Sequence, residues 1–183
     1  AAGAGIGFSA ATRAAEEGAR AIVLSDIHPG RLEAAVAKLK EETGLAEVFG
    51  MVGNVAVEAV VQALVDYAEA QTGGIDILIN NAGISKRMPL EEFPVEVWDQ
   101  MMAVNVRGVF LGMKHAVTIM KRQGGGCIIN MASIAGLVGH KTSSIAYIAG
   151  KGAVTLMTKG VAVQFAEDNI RVNSIHPSTV ETP

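Results

Sequence analysis

The chain has 183 residues, 50% of them hydrophobic, and a formal net charge of −3. This length suffices for one domain with a hydrophobic core, so we expect residues 1–183 to form a single domain. The weakly acidic charge and the lack of a basic cluster do not indicate a nucleic-acid partner, and no apolar run reaches the roughly 18 residues of a membrane span. The lone cysteine, Cys127, cannot form an internal disulfide, which favours a reducing, cytoplasmic setting.

Short apolar runs alternate with longer amphipathic stretches along the chain. The spacing of the apolar residues predicts strands at 20–26, 47–52, 75–79, 127–132 and 170–175. With glycine and proline as boundary signals, it predicts helices at 8–17, 29–43, 57–72, 94–122 and 145–167. Alternation of this kind, with near-continuously apolar strands, predicts an α/β fold in which a doubly wound parallel sheet lies between two helical layers. Binding chemistry in such folds collects at the carboxyl ends of the strands.

A glycine-rich loop, Gly3-Ala4-Gly5-Ile6-Gly7, leads directly into the first predicted helix. Glycine lets backbone N–H groups approach a pyrophosphate, and the start of a helix adds partial positive charge, so this loop is a candidate dinucleotide-binding site. An ordinary turn into a helix is the alternative. A dinucleotide loop needs a central strand in front of it, so we expect the sequence to lack the first strand of the fold.

Asp26 ends the next predicted strand, nineteen residues after Gly7. A carboxylate there can accept hydrogen bonds from a ribose 2′-hydroxyl and can repel a 2′-phosphate. The following residue, Ile27, is not basic, which favours NAD over NADP; Arg13 and Arg31 are the residues that could reverse this preference. Asp26 could instead be a solvated charge at the strand end or a cap for the following helix.

Tyr147 and Lys151 lie four residues apart, on one face of the helix predicted at 145–167, and Ser133 closes the strand at 127–132. A phenol ordinarily has a pKa near ~10, and a neighbouring ammonium makes it more acidic. Such a phenol can act as a general acid/base beside a hydroxyl that holds a carbonyl oxygen, which predicts hydride-transfer chemistry on an alcohol or ketone. The alternatives are a half-buried aromatic residue, a solvated lysine and a serine that caps a turn.

Taken together, these features resemble the short-chain dehydrogenase/reductase family of the compact, single-domain type. The resemblance covers essentially the whole chain, and the motifs that carry it are Ala4–Gly7, Asn80–Gly83, Asn105 within Val104–Phe110, Ser133, Tyr147-x-x-x-Lys151 and Arg171–Pro177. It implies a Rossmann fold and a C-terminal lid that this sequence does not include. Four positions depart from the family pattern: Ala1 stands where the family has its first glycine, Asn54 replaces the usual Asp near the adenine, Gly150 stands where Ser is frequent, and Ser178 replaces the glycine after Pro177.

The resemblance also implies roles for individual residues. Tyr147 would be the general acid/base, and the catalytic set would be Asn105 (a water-binding relay residue), Ser133, Tyr147 and Lys151. The implied cofactor-binding residues are Gly3, Gly5, Ile6, Gly7, Asp26, Ile27, Asn54, Val55, Asn81, Ala82, Gly83, Tyr147, Lys151, Pro177 and Thr182. The substrate contacts would be Ser133, His140, Ser143 and Tyr147, with Ser144 also plausible. No Cys/His cluster has metal-ligand spacing, and we interpret His176 as a structural hydrogen-bonding residue.

The implied activity is NAD(H)-dependent interconversion of a secondary alcohol and a ketone, with cyclic or steroid-like compounds as candidate substrates. A 3-oxoacyl-[acyl-carrier-protein] reductase-like enzyme would share every motif, and a non-catalytic dinucleotide-binding regulator would share the fold. Family members commonly pair through two long helices, here 94–122 and 145–167, and often form homotetramers. Small residues on the second helix suit close helix packing, either between subunits or within one; they are Ala146, Ala149, Gly150, Ala153 and Ala162.

Overall fold

A computed structural model describes residues 3–141 and 143–181. The strands are β1 (Ile22–Asp26), β2 (Val48–Val52), β3 (Ile77–Asn80), β4 (Gly126–Met131) and β5 (Ile170–Ile175). The α-helices are α1 (Gly5–Glu16), α2 (Pro29–Thr43), α3 (Glu58–Thr72), α4 (Val95–Met102), α5 (Gly108–Gln123) and α6 (Ile145–Gln164). Short 3₁₀ turns occupy Leu90–Glu92 and Ile134–Gly136. Within this described part of the chain, no helix has both the length and the apolar character needed to cross a bilayer.

The predicted helices and strands are present, with differences at their ends. The bounds of α2 and β5 are those predicted from the sequence, and α2 has Pro29 in its first turn and ends at Gly44 with a left-handed φ of 71°. The first helix begins at Gly5 rather than at 8, so the glycine loop itself forms its first turn. The last helix ends at Gln164 rather than at 167, because Ile170 N–H already donates to Phe165 O in the turn that leads to β5.

The strands are parallel, which confirms the predicted α/β fold of the Rossmann type. One group pairs β1 with β2, and the other has the order β3-β4-β5. Within residues 3–141 and 143–181, no strand hydrogen-bonds β1 to β3, and this is the position of the central strand that we expect the sequence to lack. The side chain of Ile77 on β3 is consequently 58% exposed.

Two apolar clusters hold the elements together. The smaller joins α1 and α2 to the β1-β2 sheet around Leu24, Leu39 and Val48. The larger packs α3, α5 and α6 against the β3-β4-β5 sheet around Met120 and Ile128. Helix α3 also contacts β2, which links the two halves. This layering brings the carboxyl ends of the strands and the start of α1 to the same region, where Rossmann folds bind ligands.

The long helix predicted at 94–122 is present, but its α-helical hydrogen bonding is interrupted in the middle. A π-helical segment, Ala103–Arg107, separates α4 from α5, and Gly108 N–H donates to Ala103 O, five residues back. Single π turns inside α-helices are found mostly at functional sites. This one carries Asn105, whose amide bonds to a neighbouring loop instead of to solvent.

Candidate active site

Helix α6 presents Tyr147 and Lys151 on one face, and the start of the helix fixes their position. Ser144 caps the helix, because its hydroxyl oxygen accepts the Tyr147 backbone N–H at 3.3 Å. The Lys151 Nζ lies 5.6 Å from the centroid of the Tyr147 ring, so the cation and the phenol face each other as the spacing predicts. Ser144 thus acts as a cap that positions Tyr147.

The Lys151 ammonium is almost completely enclosed. Its residue is 4% exposed, and Nζ donates to the Met131 carbonyl oxygen at the end of β4, at 2.5 Å. Burial disfavours the charged form and lowers the pKa of Lys151 from 10.5 to about 8. A lysine with such a pKa holds a proton at neutral pH but releases it far more readily than a solvated lysine.

Ser133 follows β4 in extended conformation and uses its hydroxyl as an acceptor toward the protein. Its Oγ accepts the Ala135 backbone N–H at 3.2 Å, which caps the turn Ile134–Gly136. Because the backbone contact uses an oxygen lone pair, the hydroxyl proton is left to be donated to another group. The capping role and the catalytic role proposed for Ser133 are therefore compatible, although the sequence presents them as alternatives.

The end of β5 fixes the backbone of Ser133. The Ala132 N–H donates to Ile175 O, and the Ile134 N–H donates to Pro177 O. The His176 ring completes this set, with Nδ1 3.1 Å from Ser133 O and Nε2 2.9 Å from the Ser174 hydroxyl. A carbonyl oxygen only accepts, so Nδ1 carries the proton in this arrangement.

Asn105 in the π-helical segment is fully buried, and its side chain is committed to one loop residue. Its Oδ1 accepts the Ile84 N–H, and its Nδ2 donates to Ile84 O, each at 2.8 Å. This pair of bonds holds the segment after Gly83 against the π-helical segment. These two bonds use one N–H and one oxygen lone pair of the Asn105 amide, and the relay role of Asn105 stays a prediction.

A cavity of about 320 Å³ unites residues from separate predicted motifs. Predicted site residues that line it are Ile6, Asn81, Gly83, Ser133, Tyr147, Lys151 and Pro177. Six residues that were not predicted as site residues line it too: Ile84, Ser85, Met131, Ala132, Ser178 and Val180. Ile84 and Ser85 follow Gly83, Met131 and Ala132 precede Ser133, and Ser178 and Val180 follow Pro177. Nearness in sequence to these three predicted residues was the signal that could have identified them.

The opposite end of the candidate site is formed by the glycine loop and by Asp26. Gly5 adopts a left-handed φ of 58° at the start of α1, which only glycine tolerates without strain. Asp26 is buried at the end of β1, where it accepts the His28 N–H at 3.0 Å and two hydrogen bonds from Arg31. Burial raises the pKa of the Asp26 carboxyl, but the hydrogen bonds from Arg31 and His28 outweigh it and hold that pKa well below its usual range.

Comparison with known proteins identifies the family. All 183 residues match the short chain dehydrogenase family. The chain belongs to this family. The cyclopentanol dehydrogenase of a Comamonas strain is 40% identical over 179 residues, which cover 98% of this chain and 70% of that protein.

Solved structures of short-chain dehydrogenases agree in fold. A gluconate 5-dehydrogenase from Burkholderia cenocepacia, in complex with NADP and tartrate, gives a TM-score of 0.91 at 36% identity, over 98% of this chain and 69% of that one. NAD⁺-bound xylitol dehydrogenase gives a TM-score of 0.92 at 38% identity, over 97% of this chain and 67% of that one. The chain is therefore an oxidoreductase of alcohols and ketones with a nicotinamide dinucleotide as coenzyme, and these two neighbours differ in which coenzyme they hold.

The residues of this short-chain dehydrogenase fit such a coenzyme. A Cβ at Gly3 would lie 2.6 Å from Arg31 Cγ, so only glycine allows the loop to lie this close to the Asp26 region. At the other end, Ile6 of the glycine loop borders the same cavity as Tyr147 and Lys151.

Several predicted contacts lie away from this cavity. Asn54 Oδ1 accepts the Ala56 N–H at 3.0 Å in the turn before α3, and Val55 packs against Gly108. His140 is exposed, and Ser143 is partly buried at the start of α6, outside the cavity lining. Residues of the glycine loop other than Ile6, together with Asp26, Ile27 and Ala82, also lie outside that lining.

Two positions near the carboxyl end of the chain complete the comparison with the predicted site. Thr182 lies outside the described residues. Ser178 borders the cavity, and its replacement of the family's glycine needs no left-handed backbone. Among residues 3–141 and 143–181, Asn169 is the one non-glycine residue with positive φ.

Proposed function

We propose that the chain is an NAD(H)-dependent oxidoreductase that interconverts a secondary alcohol and a ketone, with Tyr147 as general acid/base. The observation that carries this proposal is the shared cavity, in which Ser133, Tyr147 and Lys151 meet the glycine loop. Ser133 directly follows the end of β4, and Tyr147 and Lys151 lie on α6. The three residues line a cavity and do not serve to fill the hydrophobic core.

Tyr147 moves the proton. In the direction of alcohol oxidation its phenolate oxygen accepts the hydroxyl proton of the substrate, and in ketone reduction its hydroxyl returns a proton to the carbonyl oxygen. Lys151, 5.6 Å from the ring centroid and shielded from water, favours the phenolate electrostatically. A nicotinamide bound in this cavity supplies or accepts the hydride.

Ser133 holds the substrate oxygen. Its Oγ already accepts the Ala135 N–H, so the hydroxyl proton is directed away from the protein backbone and is available to a carbonyl or alcohol oxygen. Lys151 is also positioned near the loop of Gly83, where it would reach the ribose hydroxyls of the coenzyme. Asn105 supports this loop through Ile84.

The coenzyme proposed is NAD, held by the glycine loop, Asp26, Asn81 and the cavity residues named above. Helix α1 begins at Gly5 and directs its N-terminus toward the region where a pyrophosphate would lie, which suits an anion. Asp26 would meet the adenosine ribose. The similarity to cyclopentanol dehydrogenase supports a secondary alcohol, and a cyclic one, as the substrate class.

We further propose that copies of this chain associate through α5 and α6. Leu156 and Val163, two large apolar residues of α6, are 69% and 80% exposed. Large apolar residues exposed on one helix are typical of a surface that a partner covers. Ala146 and Gly150, by contrast, are buried within the chain, and Gly150 packs near Asn105. The other small residues of α6, Ala149, Ala153 and Ala162, are partly buried.

The proposal is tested by replacing each of the two tyrosines in turn. Tyr147→Phe should lower turnover of a secondary-alcohol panel, followed by NADH absorbance, by about 10²–10⁴-fold, the usual contribution of a general acid/base. Coenzyme binding, measured by calorimetry, should remain. Tyr67→Phe, on α3 and away from the cavity, is the matched control and should leave turnover unchanged. If Tyr147→Phe retained more than a tenth of the wild-type turnover, Tyr147 could not be the general acid/base.

A further inference from the structure

Three adjacent polar residues at the edge of the candidate active site have no part in the proposed mechanism. Ser85 lines the cavity, and Lys86 and Arg87 follow it directly in the chain. All three residues are exposed, and residues 81–89 form neither helix nor strand. Because an extended chain spans at most about 3.6 Å per residue, the Cα atoms of Ser85 and Arg87 lie within roughly 7 Å of each other. The long side chain of Arg87 is thus within reach of the edge of the cavity.

The start of this segment is fixed to the body of the protein. The Ile84 N–H donates to Asn105 Oδ1, and the Asn105 Nδ2 donates to Ile84 O, each at 2.8 Å. Asn105 itself is fully buried. These two bonds hold the residue before Ser85 in place, so the polar segment begins at a defined position beside the cavity.

None of the three polar side chains has a partner within residues 3–141 and 143–181. No hydrogen bond or ion pair joins the Ser85 hydroxyl, the Lys86 ammonium or the Arg87 guanidinium to another residue of this part of the chain. Exposed cations elsewhere do pair with carboxylates, as Arg122 does with Glu69 at 2.6 Å. Three adjacent hydrogen-bond donors are therefore available to an acceptor that binds from outside.

The edge of the cavity at residues 85–87 carries positive charge that no nearby carboxylate balances. The described residues that line the cavity include one charged side chain, the Lys151 ammonium, and no acidic one. The acidic residues closest in sequence belong to the turn Leu90–Glu92, which forms no ion pair with either cation in the described part of the chain. Glu181 adjoins the lining residue Val180, on the separate segment that follows β5. The charge at residues 85–87 therefore favours an anionic ligand.

We propose that the substrate carries a carboxylate, which Arg87 binds through two parallel N–H groups, while Lys86 adds attraction and the Ser85 hydroxyl donates a hydrogen bond. This inference rests on the proposed function, because it takes the reacting oxygen of the same substrate to lie at Ser133 and Tyr147. A guanidinium matches a carboxylate in two-pronged geometry and stays charged at every physiological pH. The substrate class is then hydroxy acids and keto acids rather than neutral alcohols and ketones.

Two ketones that differ only in charge test the proposal. 3-Oxocyclopentane-1-carboxylate and 3-oxocyclopentane-1-carboxamide share ring and carbonyl group, so the ratio of their kcat/KM values with NADH (or of their inhibition constants where turnover is slow) reports the carboxylate. Wild-type protein should prefer the carboxylate by about tenfold, as expected for one charge-assisted pair. Arg87→Gln should remove most of this preference, and Arg87→Lys should fall between the two. Arg20→Gln, at an exposed arginine before β1, is the matched control and should leave the ratio unchanged.

Salt and coenzyme binding distinguish a substrate site from other roles of the two cations. Added NaCl should lower kcat/KM for the carboxylate more than for the carboxamide. Calorimetry should give the same Kd for NADH in wild type and in Arg87→Gln. Weaker NADH binding in the variant, with the ratio unchanged, would show that the cation serves the coenzyme phosphates and would overturn the inference.

Failure of the inference differs from failure of the proposed function. If wild-type protein turned over neutral secondary alcohols and showed no preference for the carboxylate, the carboxylate site would be wrong and the proposed function would stand. A preference that persisted unchanged in Arg87→Gln and Lys86→Gln would also overturn the assignment of these residues. If wild-type protein neither turned over nor bound any alcohol or ketone of either kind, the proposed function would be wrong, and this inference with it.

Discussion

We expect the buried ammonium of Lys151, on α6, to destabilise the folded chain in a pH-dependent way. At neutral pH the fold encloses a charge that burial disfavours, and we expect Lys151→Met, which keeps the length and removes the charge, to relieve this cost. The cost should disappear in wild-type protein too as Lys151 loses its proton. The stability difference between variant and wild type should therefore depend on pH in one specific direction.

The magnitude follows from the pKa. Burial lowers the pKa of Lys151 from 10.5 to about 8, and this gap corresponds to roughly 3 kcal/mol of unfolding free energy. The unfolded chain binds more protons than the folded one between these two pH values, so wild-type stability rises with pH across that window. The roughly 3 kcal/mol is an upper limit, since the bond to Met131 O and the Tyr147 ring both favour the ammonium.

Urea unfolding at a series of pH values measures the effect, with the fluorescence of Trp98, the one tryptophan, as the signal. The advantage of Lys151→Met should be greatest below about pH 8 and should shrink by roughly 1.4 kcal/mol per pH unit above it. Lys159→Met, on the exposed side of the same helix, is the matched control for loss of a charge from α6. Parallel curves for wild type and Lys151→Met between about pH 7 and 10 would refute the reasoning.

Changes at three further positions test helix packing and the support of Ser133. Gly112→Ala should destabilise the fold by about 1–3 kcal/mol, because its Cβ would lie 2.2 Å from Asn80 Oδ1, whereas Gly160→Ala, with nothing within 4 Å, should stabilise it by roughly 0.5–1 kcal/mol; thermal unfolding of both decides this. His176→Ala should lower kcat by about tenfold to a hundredfold by freeing Ser133, with coenzyme affinity retained and with partial rescue by His176→Asn, whose amide can still donate. Unchanged kcat would limit the His176 ring to a structural role.

Much of the fold was predictable because each element carries a local signal. The helix Pro29–Thr43 has proline at its start and glycine after its end, and its bounds were predicted correctly. The strand Ile170–Ile175 is flanked by polar turns and was also predicted correctly. The order of the strands was not predicted, because it depends on pairing partners distant in sequence, and periodicity reports nothing about them.

Part of the candidate site could be predicted from the sequence, because only a few residue types can carry out this chemistry. The face shared by Tyr147 and Lys151 follows from helical spacing, and the structure places their side chains together. The contact of Asn105 with Ile84 could not be predicted from the sequence, because local spacing reports nothing about a partner 21 residues away. The Arg31 pair is similar: arginine was noted as a possible influence on coenzyme choice, but its contact with both Asp26 oxygens needed coordinates.

The two ends of the candidate site use buried charge in opposite ways. At Asp26 the enclosed carboxylate is satisfied by Arg31 and backbone N–H groups, so its charge is retained across the physiological range. At Lys151 the enclosed ammonium has one described hydrogen-bond acceptor, Met131 O, and its charge is weakly held. In the proposed function, recognition of a coenzyme by Asp26 would require a constant charge, whereas proton transfer through Tyr147 would require a neighbouring charge that responds to its surroundings. The difference in hydrogen bonding between these two buried groups is therefore the difference expected between a binding residue and a residue of a proton-transfer site.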